Sequence, residues 1–340
     1  MGKSNTDILL DAGVVELLSS MDAFFIQQRI RMVEAVTQGC IEQANVYDVF
    51  NKETNKRVMI IKEESDGCSR CFCAPNHSIF VKFYMVGSDA PEIKPGEKID
   101  WSYEPSGAPF MTFEREGCDC CFKGACPKPC IGCYACTEGC RDIGTLHAGD
   151  LDGKPGEKDG KRERVSLIGE SIQPKGGGGF KPVMQMMDRA DPSDGAEGKT
   201  ELFAASRGPC VTGGCSALCC SSPFGVAVAD QSMYENSSKL HKQNFGDYAT
   251  ITKIRPKKFS QAMREVFTDS DIFDVTFAQK SVSAQQKANI LAHIIHLDYM
   301  FFERDGDMCG NDENGSYINI CNWFCYGCIC PCKCYCKSSS

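Results

Sequence analysis

The most distinctive chemistry in the sequence lies in CPKPCIGCYACTEGC, from Cys126 to Cys140, where five of fifteen residues are cysteines. The last four have the spacing C-x2-C-x2-C-x3-C, with which bacterial ferredoxins bind an iron–sulfur cluster. These are Cys130, Cys133, Cys136 and Cys140. However, Arg141 stands where the ferredoxin motif has proline, and the chain has only one such run. Because cysteines this dense produce some such spacing by chance, iron–sulfur binding is a less favoured hypothesis.

Cysteine is abundant in the rest of the chain, with 24 residues in 340, and it falls mainly in Gly- and Pro-rich segments that are typical of loops. The opening residues Met1–Thr6 are polar, and no apolar signal-peptide segment follows them. We therefore expect a reducing compartment, in which structural disulfides are uncommon and thiols stay available for metal or for acylation. Zinc would favour pairs such as Cys118/Cys121 with Cys130/Cys133, and it is also less favoured than acylation.

The C-terminal segment CNWFCYGCICPCKCYCKSSS is again rich in cysteine, with a thiol at every second position. These residues are Cys328, Cys330, Cys332, Cys334 and Cys336. In an extended strand they lie on one face, and aromatic residues are interleaved with them. Such a ribbon suits palmitoylation at a membrane interface, which we prefer over a metallothionein-like metal store.

The first residues, MGKSNT, match the N-myristoylation pattern M-G-x-x-x-[ST], with Gly2 as the acceptor. The alternative is a frayed polar tail. A single myristoyl chain holds a protein on a membrane only marginally, and a second signal makes the attachment stable. Palmitoylated cysteines would supply that second signal.

The composition limits the classes of partner and predicts the fold class. A net charge of −8 disfavours nucleic acid and an all-over basic membrane-binding surface. Eight short segments have the alternating or β-branched and aromatic pattern of strands, with turn formers between them. They are Phe24–Met32, Lys56–Lys62, Ser78–Val86, Pro109–Glu114, Glu163–Gly169, Glu201–Ser206, Phe224–Asp230 and Tyr248–Ile254. A short helical turn at Gly13–Ser20 and surface loops at Leu151–Arg164 and Asp188–Thr200 complete the prediction of a mainly β domain.

One segment, Ser283–Arg304, predicts a long helix, with a capping box formed by Ser283 and Gln286 at its start and Gly306 to end it. Its apolar residues cover every side, as in a helix that is wholly buried. They include Ile290, Leu291, Ile294, Leu297 and Phe301.

A bilayer span needs about 20 predominantly apolar residues. Only ten residues separate Lys287 from Asp298, and His293 and His296 are among them. We therefore expect the helix to lie inside the protein, with a β-barrel wrapped around it. The two histidines have the i, i+3 spacing of metal ligands, but hydrogen-bonded core histidines are the preferred interpretation.

Two segments, REVFTDSDIF (Arg264–Phe273) and HLDYMFFER (His296–Arg304), closely resemble the end of the phospholipid scramblase domain. Other segments resemble the same family in the same order: Leu17–Gly39, Gly67–Pro75, Glu170–Gln185 and Arg207–Cys220. The resemblance covers roughly Gly13 to Glu303, with inserted loops at Cys126–Arg162 and Asp188–Lys199. It divides the chain into an N-terminal tail (1–12), a scramblase domain (13–305) with a Cys-rich loop (117–164), and a Cys-rich C-terminal tail (306–340).

The resemblance implies a tubby-like fold, a closed barrel of about twelve strands around one central hydrophobic C-terminal helix. The family is described as calcium-activated, ATP-independent carriers of phospholipid between leaflets, held at membranes by palmitoylated cysteines. The implied protein is not an enzyme, because it needs no covalent chemistry. Its partners are membrane phospholipids, its location is the cytoplasmic face of a membrane, foremost the plasma membrane, and oligomers are compatible with it.

The family's calcium segment matches Asp269 to Lys280. Asp269 and Asp271 fit positions 1 and 3 of a calcium loop, and Asp274 adds a third carboxylate. Position 12, which should be acidic, is Lys280, so we expect weak calcium binding. The alternative is an ordinary turn and strand with solvated aspartates.

The family's acylated patch matches GCDCCFKGACPKPC (Gly117–Cys130). The acylation candidates there are Cys118, Cys120, Cys121, Cys126 and Cys130. Basic residues that could meet lipid phosphates are Lys253, Arg255, Lys257 and Lys258, and an ordinary solvated patch is their alternative.

Two functions stay open at this stage. The first is an acyl-anchored scramblase, although the sequence shows no bundle of membrane helices through which headgroups could pass. The second is a non-transporting, lipid-anchored tubby-like module that binds phospholipid headgroups or partner proteins. A zinc or iron–sulfur protein is a third and less favoured reading.

Overall fold

Twelve antiparallel strands close into one barrel in the computed structural model, and four further strands form a second sheet. The structure describes residues 9–29, 44–64, 78–95, 103–105, 107–115, 135, 141–151, 165–190, 199–234, 237–240, 242–254, 272–302 and 309–336. The strands are β1 (Ala23–Gln28), β2 (Val46–Asn51), β3 (Arg57–Glu63), β4 (Ile79–Met85), β5 (Met111–Arg115), β6 (Ile143–Ala148), β7 (Leu167–Ile172), β8 (Val183–Arg189), β9 (Thr200–Arg207), β10 (Val211–Thr212), β11 (Ser222–Val228), β12 (Ala249–Lys253), β13 (Ile272–Phe277), β14 (Cys309–Asp312), β15 (Gly315–Cys325) and β16 (Cys328–Tyr335). The helices are α1 (Ala12–Ser20), α2 (Ser216–Cys219), α3 (Ser237–Leu240) and α4 (Ala284–Phe301), with 3-10 turns at Lys175–Gly178 and Gln231–Met233.

The barrel strands follow the order β1-β13-β12-β11-β9-β8-β7-β6-β5-β4-β3-β2. Most neighbours are consecutive in the chain, which is the usual outcome of short connections. Strand β1 closes the barrel, because Phe24 is opposite Val275 of β13 on one side and Asn51 of β2 on the other. Closure leaves no barrel strand with a free edge.

Helix α4 fills the interior of the barrel, and Gln286 is the only one of its eighteen residues that is not buried. The predicted core positions are each 1% exposed or less: Ile290, Leu291, Ile294, Leu297 and Phe301. A closed β-barrel of twelve strands around one C-terminal helix is thereby confirmed. The apolar character of every side of α4 follows from this position, since barrel residues surround it on all sides.

The predicted capping box fixes the start of α4. The Ser283 hydroxyl accepts a hydrogen bond from the Gln286 amide at 3.1 Å, and the Gln286 side chain accepts one from the Ser283 amide at 3.0 Å. The helix ends at Phe301, earlier than the predicted end at Arg304. The reason is that Phe302 leaves the helical conformation and packs its ring against Phe224 and Phe273.

A chain of hydrogen bonds crosses the barrel core through both helix histidines. His293 bonds Ser206 through Nε2 at 2.8 Å and Ser171 through Nδ1 at 2.7 Å. His296 bonds Ser171 through Nδ1 at 2.9 Å and Asp142 through Nε2 at 3.0 Å. With a carboxylate at one end, a consistent proton order is Ser206 to His293 to Ser171 to His296 to Asp142, with every group partnered. The two histidines are therefore hydrogen-bonded core residues, as the preferred interpretation had it.

Burial changes the protonation behaviour of His293, one of the two histidines in this series of hydrogen bonds. Burial, with a smaller contribution from the neighbouring His296, lowers the pKa of His293 to about 3. Neutral His293 can accept from Ser206 and donate to Ser171 at once, which a charged imidazolium cannot do. Asp142 also contacts the buried Arg115, whose Nε lies 3.3 Å from its carboxylate.

Most predicted strands are present, but several barrel strands were not anticipated. Strand β6 lies inside the 117–164 segment that was expected to be a Cys-rich loop, and this corrects the extent of that loop. The segment IGTLHA was missed because it is short and has a glycine, although Leu146 is buried against α4. Strand β7 begins at Leu167, four residues beyond the start of the predicted Glu163–Gly169.

Candidate functional site

The C-terminal residues form a sheet against the end of the barrel at which α4 finishes. Strand β15 pairs with β16 along one edge, and with β14 and β10 along the other. Phe324 of β15 is buried, and its ring centroid lies 5.9 Å from that of Phe301. We call β10, β14, β15 and β16 the tail sheet.

The pairing of β15 with β16 separates the two faces of the tail sheet, because residues that pair across strands share a face. The residues of β15 that face the barrel are buried: Tyr317, Asn319, Asn322 and Phe324. The opposite face has these exposed residues: Ile318, Ile320 and Trp323 from β15, and Cys330, Cys332 and Cys334 from β16. Cys321, Cys325 and Cys328 share that face but are half-buried or buried. We call the six exposed residues the outer face.

The tail sheet inverts the usual polarity of a half-buried sheet. Asn319 and Asn322 are each 3% exposed, and the side-chain Nδ2 of Asn319 donates to the side-chain oxygen of Asn322 at 3.0 Å. The neighbouring isoleucines point outwards instead. A β-bulge between Asn319 and Cys321 adds Ile320 to the outer face. Sequence reasoning missed Ile318 and Ile320, because alternation alone does not say which set of residues is buried.

Glycine contacts hold the hairpin turn of β15 and β16 in place. Tyr326 and Gly327 have φ of 47° and 92°, as in tight two-residue hairpin turns. The Tyr326 amide donates to the Gly179 carbonyl at 2.7 Å. A side chain at Gly177 would place its Cβ 2.5 Å from the Gly327 nitrogen, so the close approach requires glycine.

The tail sheet brings together cysteine-bearing segments that are far apart in the sequence. Strand β10 aligns Val211 with Trp323, and the Cys215 amide donates to the Asn319 carbonyl at 3.0 Å. The cysteine group at 210–220 thus lies beside the tail. Ala135, from the Cys-rich segment 117–140, also lies at the hairpin turn, since a Cβ on Gly327 would be 2.8 Å from that of Ala135.

The thiols of the tail sheet differ in their accessibility. Cys330, Cys332, Cys334 and Cys336 are exposed, whereas Cys328 is buried, with 8% of its surface exposed. Cys321 is opposite Cys332, and partial burial together with a hydrogen bond to Cys332 raises the pKa of the Cys321 thiol. The four exposed thiols are therefore the most accessible cysteines of β16 and its end.

The predicted calcium segment is described only from Ile272 onwards, and Asp269 and Asp271 lie outside the described residues. Asp274 is on β13, where its two carboxylate oxygens lie 2.7 and 2.9 Å from Nζ of Lys52. Lys280 follows the strand and is exposed. Calcium at Asp274 would therefore have to compete with a lysine ammonium.

Among the proposed headgroup residues, Lys253 ends β12 and its Nζ lies 4.1 Å from the Phe302 ring centroid. This cation–π contact already stabilises the ammonium group that would otherwise meet a lipid phosphate. The other three, Arg255, Lys257 and Lys258, lie outside the described residues. So do Gly2 and the loop cysteines Cys118, Cys120, Cys121, Cys126 and Cys130.

Among the described residues, no group of three or more His, Cys, Asp or Glu side chains is arranged to hold a metal ion. In the same residues, no helix has both the length and the hydropathy that crossing a membrane requires.

The fold and the tail sheet define a class of protein: a closed antiparallel barrel with a central helix and a thiol-bearing outer surface. The scramblase family model matches residues 2–85 and 208–304, which is more than half of the chain. The chain therefore belongs to the scramblase family.

Curated relatives share this family at low identity. The chain is 25% identical to phospholipid scramblase 1 of Rattus norvegicus over 304 residues, which cover 89% of this chain and 65% of the relative. It is 23% identical to phospholipid scramblase 1 of Mus musculus over 293 residues, 86% of this chain and 65% of the relative. The human protein of that name is 23% identical over 292 residues, 86% and 66% of the two chains. The chain thus spans about 65% of the length of these relatives. No solved structure matches it significantly.

Proposed function

We propose that this protein is an acyl-anchored scramblase-like protein, which moves phospholipids in both directions between leaflets without ATP. The proposal rests on the outer face of the tail sheet, found here in a member of the scramblase family. Cys330, Cys332 and Cys334 lie there at every second position of β16, exposed and on one side. Each buried methylene of an acyl chain contributes about 0.8 kcal/mol to membrane attachment, so two or more chains anchor the protein stably. The cytoplasmic face of the plasma membrane is the proposed location.

The barrel itself gives reason to keep a second function in view. Helix α4 occupies its interior, and residues such as Ile290, Ile294 and Leu297 are fully buried against barrel side chains. A phospholipid headgroup therefore has no route along the barrel axis in this conformation. A non-transporting module, anchored by the same acyl chains and binding headgroups or partner proteins, fits this filled interior. Transport would need the outer surface, an oligomer or an opened barrel.

Reconstitution separates the two functions. The full chain, purified from membranes of cells that acylate it, is placed in vesicles with a fluorescent phospholipid in both leaflets. Dithionite added outside quenches the outer label, so extra quenching reports transfer of the inner label. We expect extra quenching with wild-type protein, and membrane binding without extra quenching would favour the non-transporting module.

Acylation is tested on the same material. The triple variant Cys330→Ser/Cys332→Ser/Cys334→Ser should lose most hydroxylamine-sensitive acyl groups of the tail, as read by mass spectrometry. The matched control is Cys328→Ser, which changes a buried thiol on the same strand and should leave the acyl groups in place. Wild-type protein without any acyl group would refute the anchoring mechanism.

Calcium responsiveness is a further part of the proposal, with Asp269, Asp271 and Asp274 as ligands. Because Lys52 pairs with Asp274 and Lys280 replaces an acidic ligand, we expect a dissociation constant in the range of about 10⁻⁴–10⁻³ M or weaker. Lys52→Ala should tighten calcium binding in titration calorimetry by freeing the Asp274 carboxylate. Equal heats for both proteins would remove Asp274 from the proposed site.

A further inference from the structure

The exposed apolar side chains of the described residues are concentrated at the tail. Nine large hydrophobic side chains are exposed among all the described residues. Five of them belong to β15, β16 and their turn: Ile318, Ile320, Trp323, Tyr326 and Tyr335. A sixth, Phe180, packs edge-on against Tyr326 with ring centroids 5.2 Å apart. A concentration of this kind marks an interaction surface.

The outer face itself carries apolar side chains at its centre. Ile318 is 40% exposed, Ile320 is 51% exposed and Trp323 is 44% exposed. Asn319 and Asn322 are buried on the opposite side, between the buried Tyr317 and Phe324, so the middle of β15 buries two polar residues and exposes two isoleucines. Neighbouring barrel strands do not show this inversion: β13, for example, buries Phe273 and Val275. Folding of the monomer alone gives no reason for such an arrangement.

Charge is kept away from the outer face. Lys333 is the charged residue of β16, and it belongs to the opposite face, where it pairs with Asn319 and places Nζ 3.7 Å from the Tyr317 ring centroid. The exposed residues of β16 that share the face with Trp323 are Cys330, Cys332 and Cys334, which are uncharged as thiols and become apolar on acylation. A charge carried into hydrocarbon is costly, and none of the six residues that define the outer face is a charged residue.

We propose that the outer face is a bilayer-insertion site that acts before any acyl chain is attached. Ile318, Ile320 and Trp323 enter the boundary between headgroups and acyl chains, where tryptophan is favoured. The tail sheet then lies flat on the membrane and presents the thiols of Cys330, Cys332 and Cys334 to the lipid. A protein partner would more often be matched by a polar or charged rim around the apolar centre. This inference rests on the proposed membrane function, and it adds the orientation of the molecule and the order of the two attachment steps.

The sequence offers a specific probe, since Trp101 and Trp323 are its only tryptophans. The full chain with Trp101→Phe is produced in bacteria, without acylation, and mixed with calcium-free vesicles of phosphatidylcholine and phosphatidylserine. Part of the phosphatidylcholine carries bromine near the headgroup end of its acyl chains. We expect the emission of Trp323 to shift to shorter wavelength and to be quenched by at least a third.

Two aspartate variants test whether vesicle binding depends on the outer face or is nonspecific adsorption. Ile320→Asp puts a charge at the centre of the outer face and should weaken vesicle binding at least tenfold. The matched control is Val228→Asp, because Val228 has a similar exposure, 49%, but belongs to barrel strand β11. It should change vesicle binding less than twofold. Circular dichroism of both variants checks that each is folded.

Several results would overturn the inference. These are no vesicle binding by the unacylated chain, binding without quenching of Trp323, equal loss of binding in the two aspartate variants, or a dimer in sedimentation that Ile320→Asp dissociates. Acylated protein from cells distinguishes the two proposals. If it binds membranes although the unacylated chain does not, only the insertion site fails, and if neither binds, the membrane function fails as well.

Discussion

The barrel interior and the tail sheet differ in where they place their large apolar residues. Inside the barrel, His293 and His296 lie in a continuous hydrogen-bonded chain, and aliphatic residues of α4 fill the remaining space. On the tail sheet, Asn319 is buried and Ile320 is exposed. The two helix histidines are hydrogen-bonded within the interior, whereas the outer face of the sheet leaves large apolar side chains exposed. We therefore expect substitutions to affect stability mainly in the barrel and the proposed membrane interaction mainly in the tail.

The largest expected effect on stability comes from the aromatic cluster at the end of α4. Phe301 is fully buried, and its ring centroid lies 5.6 Å from that of Phe224. Phe301→Ala should lower the free energy of unfolding by about 3–5 kcal/mol, because it removes a large buried side chain and leaves a cavity. Denaturant titration measures the loss. The control Phe180→Ala changes an exposed ring and should cost less than about 1 kcal/mol, and equal losses would refute the contrast between the two regions.

The next effect depends on pH and belongs to His293. Its pKa is about 3 in the folded protein and 6.5 in the unfolded chain, so between these values the unfolded state binds the extra proton. The stability is complete above pH 6.5 and falls as the pH is lowered towards 3. At pH 5 the loss from this residue is about 2 kcal/mol.

His293→Gln removes that titration while keeping a polar side chain in the core. The difference in unfolding free energy between pH 7.5 and pH 5.0 should be smaller in the variant by the same amount, about 2 kcal/mol. Denaturant titration at both pH values gives the comparison. An unchanged pH dependence would mean that His293 does not titrate in this way.

A smaller effect is expected at the capping box of α4. Ser283→Ala removes the acceptor of the Gln286 amide and should cost about 1 kcal/mol. Ser283→Asp keeps a capping oxygen and should recover most of the loss. Thermal unfolding followed by circular dichroism ranks the three proteins, and an aspartate variant as weak as the alanine variant would contradict the capping role.

The smallest effect on stability is expected on the outer face. The triple serine variant of Cys330, Cys332 and Cys334 should change the unfolding free energy of unacylated protein by less than about 1 kcal/mol, since these thiols are exposed. The same variant should be held less firmly by the membranes of cells that acylate it, as measured by fractionation. A loss of several kcal/mol would make the outer face a structural element.

The sequence by itself determined the barrel's centre, because the pattern of α4 has one physical solution. Apolar residues on every side, a capping box at Ser283 and only ten residues between Lys287 and Asp298 require a helix enclosed by protein. Strands rich in β-branched and aromatic residues, such as Ile79–Met85, could also be predicted from the sequence. The family resemblance and the twelve-strand closure agreed with this local evidence.

Only the tertiary structure decided which side of each tail strand is buried and which segments meet there. Alternation has a period of two, so it separates two sets of residues without saying which set faces the barrel. Here Phe324 and Asn322 turned inwards because β15 docks on the end of α4 and pairs with β10, a contact between residues more than one hundred positions apart. Glycine at 177 and 327 permits the close approach of the hairpin turn, and the partner of a glycine cannot be read from local sequence. The exposed positions of Ile320 and Trp323 follow from that docking.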